Sequence, residues 1–67
     1  MTSGEKLRTL RGKTSKHKVA EELGISFSSY VKYERNERTP RDEIKIKIAK
    51  YFHTSVQDIF FRQSEHI

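Results

Sequence analysis

The apolar residues of this chain fall in short groups at helical spacing, separated by polar stretches that hold its turn-forming residues. Thr2 with Glu5 three residues later has the form of a capping box, and Leu7 and Leu10 give the helix it opens an apolar side that stops at Gly12. A first helix over about 4–11 is therefore expected. Ser15 can cap a second helix, in which Val19, Ala20 and Leu23 form an inward stripe and Gly24 stands where a left-handed residue would close it. Ser26 can cap the next. The segment from Ser15 to Glu34 thus reads as helix, tight turn and helix, with Ile25 plugging the corner between them.

Further along, Thr39, Pro40 and Asp42 form a start signal: an N-cap Thr, a Pro at the first helical position where no N–H is required, and a carboxylate in the first turn. The EIKIKIAKYF that follows is ambiguous, because Ile44, Ile46 and Ile48 alternate with Lys as a strand would. Helix is favoured, since Ile44, Ile48 and Phe52 recur every four residues and a lone strand would have no partner. Ile46 is then left at the flank. Ser55 and Asp58 open a last short turn that brings Val56, Ile59 and Phe60 to the bundle, and residues 62–67 read as a frayed tail. The expected fold is all-α, a compact five-helix bundle in one domain over residues 1–67 with its core at about 4–61.

Composition narrows this picture. A 67-residue chain has room for one core, and with no Cys and no His/Asp cluster at ligand spacing it has neither a disulfide nor a metal site to support it. No apolar run approaches a membrane span and the first ten residues lack the apolar stretch of a signal peptide, so a soluble cytoplasmic protein is expected. The net charge is +5, and residues 1–41 hold ten Lys/Arg against five Asp/Glu while the remainder is balanced at four against four. Basic charge gathered in this way suits a polyanion such as nucleic acid, although the same charge can simply solvate a small protein. An enzyme is not expected: His17, His53 and His66 fall on different elements, and there is no nucleophile–base pair or phosphate-cradling Gly loop. No cofactor and no small-molecule ligand are implied.

Four motifs carry a family likeness: S-x3-V-A-x2-L-G-I-S through the turn, Y-x2-Y-E-R-N at the end of the following helix, R-x-P after it, and I-A-x2-F-x2-S-V-x-D-I-F near the C-terminus. Through them the chain, over about residues 5–61, resembles the DNA-binding domain of the lambda-repressor and Cro superfamily, helix-turn-helix regulators of the xenobiotic-response-element type. The resemblance implies that helix 27–34 enters the major groove and that the second helix presses its N-terminus against phosphate. Free N–H groups and the positive end of the helix dipole favour that second role independently. By the same resemblance Ser26, Phe27, Ser28, Val31 and Lys32 face the bases, while Ser29, Tyr30 and Tyr33 face the scaffold. Helical spacing supports this division, with 30 and 33 on one side and 28 and 32 on another. Phosphate contacts are expected from Lys13, Ser15, Lys16 and Lys18, and after the helix from Arg35, Asn36, Arg38 and Arg41. Arg11 and Glu34 occupy the family's buried ion-pair positions.

Three features depart from the family pattern. The GKT loop is about two residues short, Lys16 stands where Gln is frequent, and Phe27 replaces a long polar residue. Lys32 can donate to guanine and Ser28 can donate or accept, but Phe27 and Val31 can only touch thymine methyls. Phe27 can instead fold over Val31 or toward the second helix, or meet a protein partner. The expected function is sequence-specific binding of double-stranded DNA by a bacterial or phage-type transcriptional regulator, a repressor or Cro-like switch. One short helix reads few base pairs, so a homodimer on a pseudo-palindromic site is expected, with Ile46, Phe60 and Phe61 as interface contacts. A protein-interaction adaptor or antitoxin-type partner that keeps the fold is the alternative.

Overall fold

Four of the five helices begin where a hydroxyl accepts a bond from the backbone N–H three residues on: Thr2 from Glu5, Ser15 from Lys18, Ser26 from Ser29 and Ser55 from Asp58. In the computed structural model, which describes residues 2–61, these caps open α1 (Ser3–Arg11), α2 (Lys16–Leu23), α3 (Phe27–Glu34) and a single π-type turn, α5 (Gln57–Phe61). At the first of them Glu5 also accepts from the Thr2 N–H at 2.9 Å, completing the capping box. The expected tail at 62–67 lies outside the described residues. Among the described residues there is no strand, and no helix is long and apolar enough to cross a membrane.

The helix without a hydroxyl cap is α4 (Asp42–Tyr51), and here the structure corrects the expected start at Thr39 and Pro40. Its N-cap is Arg41, whose side chain makes no capping bond, and Pro40 is buried instead of opening the helix. Asp42 and Glu43 in the first turn supply negative charge at the positive end of the dipole in place of a cap. The ambiguous isoleucines resolve as a helix: Ile48 is buried, Ile44 and Phe52 pack against the core, and Ile46 is 49% exposed.

Three helices end in the same way, through one left-handed residue followed by an N–H that returns to the last turn. Gly24 (φ 74) does this for α2, Asn36 (φ 61) for α3 and His53 (φ 59) for α4, with Ile25, Glu37 and Thr54 donating to the carbonyls of Ala20, Lys32 and Ala49 at 3.0, 2.9 and 2.9 Å. Gly serves the first without side-chain strain; Asn tolerates this conformation better than most other residues.

The core gathers Leu7 of α1, Val19 and Leu23 of α2, Tyr30 of α3, Ile48 of α4 and Ile59 of α5. Packing joins α3 to both α1 and α2, α5 to α1, and α4 to α2. On α1 the inward stripe is Gly4, Leu7 and Arg11; Leu10, expected beside Leu7, is rotated off it and is 40% exposed. Gly4 is buried because α1 meets the end of α3 backbone to backbone there. Its N–H donates to Asn36 Oδ1 at 3.0 Å, while Asn36 Nδ2 donates to Thr2 Oγ1 at 3.1 Å.

That approach leaves no room for a Cβ, which would overlap the Glu34 carbonyl. Gly4→Ala is expected to cost about 2 kcal/mol or more in urea unfolding, the penalty of forcing packed backbones apart. A loss below about 0.5 kcal/mol, within the range of ordinary surface substitutions, would show that the two helices are not held at this point.

Candidate nucleic-acid interface

Every fourth residue of α3 returns to the same face, and the sequence FSSYVKYE divides accordingly. Tyr30, Tyr33 and Glu34 are buried against the scaffold, whereas Phe27, Ser28 and Lys32 are exposed and Val31 is half-buried. Ser26 is also exposed, its hydroxyl 3.5 Å from that of Ser28, and Ser29 is half-buried. The Ser26 hydroxyl accepts from the Ser29 N–H and donates to the Ser29 hydroxyl at 2.9 Å, so the start of the helix already occupies it.

The inner face is held by an ion pair. Arg11 Nε donates to Glu34 Oε2 at 2.6 Å and Nη2 donates to Oε1 at 3.1 Å, a two-pronged contact between the ends of α1 and α3. The third guanidinium nitrogen, Nη1, donates to the Thr14 carbonyl at 2.8 Å and so ties the short loop into α2 to the same point. Burial pushes the Glu34 carboxyl up, but Arg11, Tyr30 and the Lys16 charge together outweigh it and hold the group below its usual value. Arg11 is correspondingly raised, first by its bond to Glu34. The Tyr30 hydroxyl is buried nearby with no partner at hydrogen-bond geometry, and burial followed by the Glu34 carboxylate pushes its phenol well above the usual value.

Lys13, Ser15 and Lys18 are exposed around the start of α2, and Lys16 is half-buried. Lys18 reaches Glu22 at 3.3 Å, an exposed i,i+4 pair of the kind that contributes little. In the same turn, His17 stacks on Phe27: the ring centroids are 3.8 Å apart and the planes 6° from parallel. Phe27 is therefore turned toward the second helix, one of the expected alternatives, and the residue remains 40% exposed. Sequence spacing gave no sign of this partner, because the pairing depends on how α2 and α3 cross.

Beyond α3, Arg35 pairs with Glu37 at 3.2 Å and Arg41 with Glu43 at 3.8 Å, both on the surface and both weak enough to exchange for phosphate. Arg38 and Arg41 line one cleft with Ser26 and Ser29, which brings the flanking cations to the start of α3. Asn36 is also exposed, with both ends of its side-chain amide engaged on the start of α1.

The expected interface trio is divided as well. Phe60 is a core residue at 9% exposure, whereas Ile46 (49%) and Phe61 (46%) are on the surface, with Lys45 Nζ 4.7 Å from the centre of the Phe61 ring. Adjacent residues on a helical turn point in different directions, so one of the two Phe is drawn inward. Among the described residues no group of three or more His, Asp or Glu is placed to hold a metal.

A family model described as helix-turn-helix matches residues 5–59. Comparison with curated proteins and with solved structures gave no match.

Arg11→Ala would leave the Glu34 carboxylate buried without its partner, at an expected cost of about 3 kcal/mol at neutral pH. The wild-type Glu34 is held below its unfolded value of about 4.3, so its contribution is complete above that pH and fades as pH falls through the folded value. In the variant the hydrogen bond and charge of Arg11 are gone and burial, the largest influence, is opposed only by Tyr30 and Lys16, so the group rises and acid relieves its penalty. The stability difference between the two proteins should therefore narrow from pH 7 to pH 4 in urea titrations; a difference independent of pH would assign the effect to packing of the Arg11 stem.

Proposed function

The chain belongs to the helix-turn-helix family of DNA-binding transcription regulators, of the lambda-repressor and Cro type, and on that premise we propose that α3 is the helix with which it reads sequence in the major groove. The observation that carries the proposal is the division of α3. Its inner side is fixed by Tyr30, Tyr33 and the Glu34–Arg11 pair, while Phe27, Ser28 and Lys32 are exposed together on the other. Lys32 is assigned to guanine O6 or N7, Ser28 to a donor or acceptor on a base edge, and Phe27 and Val31 to apolar contact. Ser26 serves mainly as the cap that sets the helix start.

Phosphate contacts are assigned to Lys13, Ser15, Lys16 and Lys18 at the start of α2 and to Arg35, Arg38 and Arg41 after α3. The α2 start supports this with a capped helix end whose remaining N–H groups and dipole favour an anion. A homodimer would place two copies of α3 on a pseudo-palindrome, with Ile46 and Phe61 as the exposed apolar candidates for its interface. Repression by occupancy of such a site, in a bacterial or phage setting, is the mode of action that fits a domain of this kind. The exposure of Phe27, Ile46 and Phe61 also favours a second reading, a protein-interaction adaptor or antitoxin-type partner.

Incubation with fragmented genomic DNA and sequencing of the bound pool tests the choice. The expected pool is enriched in a pseudo-palindrome whose half-sites lie about 34 Å apart, one turn of the duplex; a pool without a motif would favour the adaptor. Six Lys/Arg contacts per domain should give a log affinity that falls with log salt at a slope of about −5. A flat salt response would remove the phosphate assignments.

A further inference from the structure

The stacked pair of His17 and Phe27 has no part in the core and no cap to support, yet it lies between the first turns of the two helices assigned to DNA. We infer that the pair reads a thymine methyl group, with His17 as the positioning residue that holds the Phe27 ring in place. The inference rests on the DNA-reading role of α3 and names the base feature that its first residue selects.

A phenyl ring has neither donor nor acceptor, so the one major-groove feature it can distinguish by contact is the C5-methyl of thymine. Such a contact has value only if the ring stands in one orientation, since an exposed ring loses rotamer freedom on binding. Stacking on His17 removes that freedom beforehand. With the ring centroids 3.8 Å apart and the planes 6° from parallel, the two flat faces are in van der Waals contact, and any planar ring at position 17 could hold the Phe27 ring in the same way. Phe27 is 40% exposed, and the helices that carry the pair also carry Lys16 and Lys18 on α2 and Lys32 on α3. A small exposed ring on helices that carry these cations suits a methyl group on a polyanion better than the broad apolar face of a protein.

The test uses duplexes of the enriched site in which each thymine is replaced in turn by deoxyuridine, which removes the methyl and nothing else. For the wild-type protein at least one position should lose about fourfold in affinity, the effect of burying one methyl group. His17→Ala should bring that ratio close to one with its salt slope and melting temperature unchanged, and His17→Tyr, which keeps a planar ring, should restore it. Phe27→Ala should lose the discrimination altogether. If His17→Ala keeps the thymine preference, or weakens thymine and deoxyuridine duplexes equally, His17 does not position the ring. If the wild-type protein is indifferent at every position, the pair does not read the methyl while the DNA-reading role stands; if no site is enriched at all, that role itself has failed.

Discussion

Arg11 and Glu34 each end a helix, and the rest of the structure is arranged around their meeting. A carboxylate at the C-terminal end of α3 faces the negative pole of its own helix and is 2% exposed, and the guanidinium fixed against it is the chief contact that keeps it ionised. Arg11 is suited to this place, since its charge complements the C-terminal end of α1 and its planar fork engages both carboxylate oxygens. A buried pair of this kind adds little net stability over an apolar substitute, but it accepts very few geometries. Its consequence is rotational: with Glu34 directed inward, Tyr30 one turn earlier must also be inward, and Phe27, Ser28 and Lys32 are left outside.

Neighbouring contacts set the remaining degrees of freedom of α3. Arg11 also holds the Thr14 carbonyl, so the loop that delivers α2 is anchored to the residue that anchors α3. Asn36 ends α3 in a left-handed conformation and grips the first turn of α1, where only a glycine permits so close an approach. At the opposite end of the helix, the Phe27 ring is carried on α2 through His17. The outer face of α3 is thus positioned from three sides by short contacts, although it consists of side chains with little burial of their own.

The sequence disclosed those parts of the fold that depend on neighbours along the chain. The hydroxyl caps act across three residues, and Thr2, Ser15, Ser26 and Ser55 were legible for that reason. Gly24 announced its turn, whereas Asn36 and His53 do the same work without the glycine that would have marked them. The corrections concern contacts set by packing between helices. Pro40 is drawn into the interior instead of opening α4, and Leu10 lies outside the stripe that meets α3. In the site, the two faces of α3 were implied by the family resemblance and supported by helical spacing, but the His17–Phe27 stack and the engagement of Asn36 required the crossing of distant segments.

The central claim is that the ion pair presents one face of α3 to DNA, with the start of α2 and the loop after α3 on either side of it. A titration of the isotopically labelled protein with its enriched duplex, followed through backbone amide resonances, tests this most directly. The amides of residues 15–18, 27–32, 35–39 and 41 should move together and saturate at one stoichiometry, while those around Leu7 and Ile59 stay in place. Movement centred on Ile46 and Phe61, with α3 unaffected, would contradict it.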